Sequence, residues 1–249
     1  MVTQPSRLPL ARFAIADFLR QTHVDRELVV LHDGDDACDA ELRGLASDSR
    51  VRILRENPGA ALGTLRNRAV VSAAGDFVCQ WDDDDRYHPR RLELQWNALH
   101  DARADFCFLV DQLHWFPDRC ELFWDNWNGE AYPLNFVQGT LLGRRDRMPH
   151  YPDAARGEDT SVALDIVRHG HPIARLRDVG WCYVYVYHGA NAWDAAHHTA
   201  ITQAKRFGAA RLMQRESGLR ARLAEYSPPL GALRMPYDGG CIEINADSL

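Results

Sequence analysis

Lysine is almost missing from this chain. Of 29 basic residues in 249, only Lys205 is a lysine. A Schiff-base or phosphate-loop lysine therefore has one candidate, and Lys205 stands in no such motif. The arginine bias fits a GC-rich genome and needs no chemical reason. No run approaches the ~20 apolar residues of a membrane span, and no basic-then-apolar leader opens the sequence. The six cysteines, at 38, 79, 107, 120, 182 and 241, form no CxxC pair. That argues against structural zinc and a disulfide framework, and for a reducing cytoplasm. Positive charge is also short: 29 basic residues face 35 acidic ones, a net of −6. A general nucleic-acid binder is usually basic, so that class loses ground.

What remains is ordinary globular composition, 46% hydrophobic and 26% charged, long enough for one large domain or one domain with an appendage. The first two-thirds alternate helix and strand patterns. Leu10, Ala14 and Phe18 mark an amphipathic helix ending near Gln21. Glu27–His32, Val51–Leu54, Asp76–Trp81 and Asp105–Val110 read as short buried strands. Helices are expected from about Gly63 to Ala74, and after Pro89 with Leu92, Trp96 and Leu99 on one face. Such alternation predicts an α/β fold with a largely parallel sheet covered on both faces. Its ligands gather at the carboxyl ends of the strands, where Asp33 and the run Asp82–Asp85 fall. Later, 159–168 and 194–224 read as helical and Trp181–Tyr187 as a strand. The last 25 residues read as an extended tail.

The aspartate run is the sharpest feature. Four consecutive carboxylates repel one another unless a cation or solvent offsets them. Mg²⁺ and Mn²⁺ take oxygen ligands, commonly one or two carboxylates plus phosphate oxygens. An acidic loop after a buried strand can therefore hold a metal that clamps a diphosphate. Read by itself, Glu158-Asp159 is an acid pair at a helix N-terminus, where the dipole favours it.

The segment Phe77-Val-Cys-Gln-Trp-Asp-Asp-Asp-Asp-Arg-Tyr-His-Pro-Arg-Arg-Leu-Glu93 resembles the strand–DxDD–aromatic–x–Pro–x–Arg-Leu signature of family 2 glycosyltransferases with the GT-A fold. Its neighbours follow in order: Gln21-Thr22, then Glu27-Leu-Val-Val-Leu-His-Asp-Gly-Asp-Asp36; Leu65-Arg-Asn-Arg-Ala-Val70; Ala74-Gly-Asp-Phe77; Gln138-Gly-Thr-Leu-Leu-Gly-Arg-Arg145; and Gly157-Glu-Asp159 before Leu164. The likeness runs from about residue 4 to 190. It implies a Rossmann-like, mostly parallel sheet, with a nucleotide-binding half at 1–110 and an acceptor half at 111–190. A helical segment and tail would fill 191–249.

The resemblance implies an inverting transfer of a sugar from a nucleotide-diphosphate donor, UDP favoured, to a glycan or other hydroxyl acceptor. Asp33, Arg66, Asn67, Asp82 and Asp83 would meet the nucleotide. Asp82, Asp84 and His188 would hold Mn²⁺ or Mg²⁺. Asp159, with Glu158 beside it, would be the general base. The aromatics Trp115, Trp124 and Trp127 suit stacking on sugar rings. Such chemistry needs a base for the acceptor hydroxyl and charge stabilisation on the leaving diphosphate. His197 and His198 are expected on an exposed helix face.

One departure stands out. Only Met1-Val-Thr-Gln4 precedes the first helix, so the opening strand of the family is truncated, supplied by another chain or replaced. Cys241–Ile244 is apolar enough to pair with a sheet edge. An open edge would favour a homodimer or an impaired GT-A-like binding module. A sugar-phosphate nucleotidyltransferase would need a glycine-rich loop, and residues 1–20 contain no glycine. A DxDxT phosphatase fails because Asp82–Arg86 holds no threonine. Attachment to the inner membrane face through the arginine-rich helix at 205–222 is a further expectation.

Overall fold

A computed structural model describes residues 1–154 and 156–244. The elements in the nucleotide-binding half are β1 (Val2–Thr3), α1 (Leu8–Leu19), β2 (Leu28–His32), α2 (Asp36–Leu45), β3 (Val51–Arg55), α3 (Leu62–Ser72), β4 (Phe77–Cys79), β5 (Arg86–Tyr87), α4 (Arg91–Asp101) and β6 (Phe106–Leu109). After them come β7 (Asp111–Phe116), β8 (Glu121–Asn126), β9 (Leu142–Arg144), α5 (Glu158–Arg168), β10 (Ile173–Leu176), β11 (Tyr183–Val186), α6 (Ala195–Lys205), α7 (Ala209–Leu223), β12 (Leu233–Tyr237) and β13 (Gly240–Ile244).

The strands form three sheets, ordered β1-β2-β3, β10-β6-β9-β4 and β13-β12-β8-β7-β11-β5. The first is wholly parallel. The second is mixed: β10 runs parallel to β6, but β9 lies antiparallel between β6 and β4. The third is built largely on antiparallel pairs. The α/β class therefore holds, but the sheets are mixed. The physical reason is connection length: β7 and β8 are joined by a short turn through Pro117 and left-handed Cys120, which only an antiparallel pair allows. Trp115 and Trp124 lie on this hairpin, and Trp127 follows it.

The truncated alternative for the opening strand fits: Val2–Thr3 form a two-residue strand, pairing in parallel with Leu31 and His32. One further sequence expectation changes. The stretch expected as an extended tail folds, over its described part, into the β12–β13 hairpin. There Cys241–Ile244 takes the outer edge of the third sheet, as its apolar pattern suggests. Leu233, Met235, Ile242 and Ile244 join Leu212, Leu219 and Leu223 of α7 in a second core. The main core lies under α1, α2 and α4.

The segments that resemble family motifs carry much of the local architecture. Gln21 Nε2 donates to the His88 carbonyl at 2.8 Å, and its Oε1 accepts from the Leu92 amide at 3.0 Å. Gln21 thus ties the end of α1 to the start of α4. Glu27 accepts the Gly75 amide at 3.1 Å, fixing the turn before β4. Arg91 is completely buried, its guanidinium 4.7 Å from the Tyr87 ring centre, and donates to the Gln80 carbonyl at 3.1 Å. Among the described residues no helix is long and apolar enough to cross a membrane.

Candidate active site

The aspartate loop leaves β4 and returns through β5 and α4, and it is clamped on both sides. The Trp81 indole donates to the Ala14 carbonyl at 3.0 Å and stacks on Tyr87 at 3.7 Å between ring centres. Buried Asp17 of α1 accepts from Arg86 Nε at 2.8 Å and from the Tyr87 amide at 2.9 Å. Asp85, fully enclosed, accepts the Tyr183 hydroxyl and, at 2.9 Å, the Val186 amide. Burial drives the Asp85 carboxyl well above its usual range. Asp85 is therefore an anchor between the loop and β11.

The other three aspartates face different partners. Asp82 accepts from Arg66 Nη2 at 2.8 Å and Gln80 Nε2 at 3.0 Å. Asp83 is buried and accepts from Arg7 Nη1 at 3.2 Å. Burial, then the neighbouring Asp84 charge, push its carboxyl up to about 6. Asp84 lies 2.9 Å from the same Arg7 nitrogen and 3.0 Å from His188 Nε2. Burial opposes its ionisation, but His188 and Arg7 outweigh it and hold the carboxyl below the usual range. The Ala190 amide points at His188 Nδ1, which leaves Nε2 facing Asp84.

The start of α5 meets this loop. Gly157 takes φ 74° just before the helix, a left-handed conformation in which glycine carries no Cβ penalty. Glu158 Oε1 lies 3.4 Å from Arg66 Nη2, so Arg66 spans the aspartate loop and the acid pair. A Cβ placed on Gly139 would stand 3.6 Å from both Asp159 Oδ2 and Gln80 Nε2, and 3.9 Å from Asp82 Oδ2. Asp82 and Asp159 therefore face one point beside Gly139. Burial raises the Asp159 carboxyl, with Arg66 opposing, and it raises Glu158 in the same way.

The remaining sequence candidates divide. Asp33 follows β2 and accepts the Gly59 amide at 3.2 Å, ahead of α3. Asn67 is turned away from the aspartates: it clamps the Tyr151 backbone, donating to its carbonyl and accepting its amide, each at 2.8 Å. Trp115 lines a cavity beside Asp84 and His188. Trp124 does not join it: the ring is 2% exposed in the second core and donates to Asp111 at 3.0 Å. Alternation along β8 turns this residue inward. Trp127 packs on the main core, with the Lys205 ammonium 4.4 Å from its ring centre. His198, expected on an exposed face, is buried against His114.

Sequence reasoning missed Arg7, Gln80, Gly139 and Tyr151. Arg7 lies 76 positions from Asp83, and no spacing rule joins them. Asp84 offers the oxygen ligand that Mn²⁺ and Mg²⁺ take, to be completed by phosphate oxygens, and His188 Nε2 beside it would join as a ligand only as the unprotonated nitrogen. Among the described residues, no group of three or more His, Cys, Asp or Glu side chains gathers as a ready-made metal cage.

Known proteins share parts of this chain's sequence and its fold. The family model described as Glycosyl transferase family 2 matches residues 7–139, the interval that holds Asp33, Arg66 and the whole aspartate run. An Escherichia coli relative, the UDP-Glc:alpha-D-GlcNAc-diphosphoundecaprenol beta-1,3-glucosyltransferase WfgD, is 29% identical over 96 residues. That match spans 38% of this chain and 38% of the relative's length. Crystal structures of S. aureus TarS 1–349 share the fold. One aligns with a TM-score of 0.58 at 14% identity over 90% of this chain and 78% of TarS 1–349. Another, in complex with UDP-GlcNAc, aligns at 0.59 and 14% identity over 89% and 65%.

Proposed function

Because the chain belongs to glycosyl transferase family 2, we propose that it is a metal-dependent, inverting glycosyltransferase that moves a sugar from a nucleotide-diphosphate donor to a hydroxyl acceptor. The observation that carries this is the meeting of the aspartate loop with the start of α5, where Asp82 and Asp159 face one point beside Gly139 and Arg66 spans both acidic groups. UDP is the favoured nucleotide, since WfgD is named for a UDP-sugar and TarS holds UDP-GlcNAc.

Asp33, Arg66, Asp82 and Asp83 border the donor. Asn67 supports this region through Tyr151. Asp84 and His188 would hold Mn²⁺ or Mg²⁺, which supplies Lewis-acid stabilisation of the leaving diphosphate. Asp159 takes the proton of the acceptor hydroxyl as its oxygen attacks the anomeric carbon from the face opposite the leaving group. The bond to the diphosphate breaks, the configuration inverts, and the proton rests on Asp159. Arg66 offsets part of the burial that raises the Asp159 carboxyl and lies against Glu158.

The test is calorimetric titration of UDP, GDP, CDP and dTDP, each with and without Mn²⁺. Tight binding of one nucleotide only with metal is expected, followed by transfer from its sugar derivative. Metal-dependent binding without transfer or hydrolysis would turn the reading to a binding module. Absence of any nucleotide binding would overturn it.

A further inference from the structure

A cavity of about 490 Å³ opens beside Asp84 and His188. Separate segments wall it: Leu10 and Phe13 of α1, Trp115 of β7, Tyr187 after β11, and Pro228-Pro229 ahead of β12. Its size is that of a small-molecule site. Its lining is nearly all hydrocarbon. Of the polar groups on its wall, Asp85 is engaged by Tyr183 and Val186, and Arg86 by Asp17. Asp84 and His188 bond to each other at one side, and Asp118, the Tyr187 hydroxyl and the Trp115 indole N–H, which is buried without a partner, complete the set.

That wall is poorly suited to a sugar ring or a base. Each buried hydroxyl or ring nitrogen left without a partner costs free energy, and few partners are free. A hydrocarbon chain needs none. Phe13, 38% exposed, gives the wall an apolar face toward solvent. The polar side of the cavity is the Asp84–His188 pair, where the proposed function puts metal and diphosphate. We propose that the cavity takes the apolar chain of an amphiphilic acceptor, an alkyl or isoprenoid group, with the polar head toward Asp84 and His188. This rests on the glycosyltransferase reading above and names its acceptor class.

The experiment titrates the full chain with methyl, butyl, hexyl and octyl β-glucosides, each below its micelle concentration, and with phenyl β-glucoside. Affinity should rise about twofold to fourfold per added methylene, the value expected for burying a CH₂ group. The gradient is the readout, so the head group need not be the natural one. Leu10→Gln and Phe13→Ser should flatten the gradient while leaving Mn²⁺-dependent UDP binding unchanged, which also shows that both variants fold. A flat series in the unaltered chain, or a gradient that survives in both variants, overturns the proposal. Phenyl glucoside binding as tightly as octyl also overturns it, in favour of a ring. Loss of UDP binding in the unaltered chain would strike the donor reading instead, and the alkyl gradient would still decide the cavity.

Discussion

Arg66 is the residue through which the acidic groups of the site communicate. It bridges Asp82 and Glu158, and its charge offsets the burial that raises Asp159. Asp159→Asn should lower kcat by about 10²–10⁴-fold, the usual value of a general base, while UDP binding with Mn²⁺ persists. The sign of the pH effect follows from the raised carboxyl. A base works as its anion, so kcat/KM should fall on acidification through a pKa above the ordinary aspartate value of about 3.9. Removing the opposing cation in Arg66→Gln should move that acid limb further up. An unmoved limb would count against the coupling. Asp84→Ala should abolish the metal dependence of nucleotide binding in the same calorimetry, and unchanged metal dependence would refute its role as ligand. The aspartates and Asp159 were legible because each stands at the end of a strand pattern or the start of a helical one. Arg7 was not, because it reaches Asp83 and Asp84 only after α1 packs.

At the scale of elements, the site depends on how closely α3 approaches the chain ahead of α5. Gly63 lies against the Pro152 carbonyl: an added Cβ would stand 2.1 Å from that oxygen. Gly63→Ala should therefore push α3 off this segment and displace Arg66 and Asn67 with it. A stability loss of about 1–3 kcal/mol is expected from overpacking, read by urea unfolding, together with weaker nucleotide binding. The order of helices and strands was readable because burial stripes of α1 and α4 follow the helical period. Strand direction was not. Short apolar runs look alike whether parallel or antiparallel, and the turn at Cys120 has no glycine to announce it.

Over the whole molecule, the C-terminal part is structural as well as peripheral. Ile242 and Ile244 of β13 are 8% and 0% exposed in the second core. Ending the chain after Gly240 should cost about 3–6 kcal/mol, at roughly 1.5–3 kcal/mol per buried isoleucine. The value is an upper bound, because the unfolded chain already buries part of that surface. Urea unfolding of the truncated chain checks it, and unchanged stability would show that the hairpin merely rests on the sheet. Pro228-Pro229 lead into this hairpin and also wall the cavity. The same truncation should therefore weaken alkyl-glucoside binding more than UDP binding.

The sequence by itself determined the α/β class, the family motifs in their order and the acidic groups that bear the proposed chemistry. Those properties are local: strand runs, caps, turns and short spacings are written over a few residues. Tertiary structure alone decided which carboxylates face one another. It turned Asp85 into an anchor beneath β11, turned Asn67 onto Tyr151 and sank Trp124 into the core. It also set Arg7 between two aspartates and raised an apolar cavity from distant segments. The direction a side chain takes depends on packing between residues far apart in sequence, and no local pattern records it.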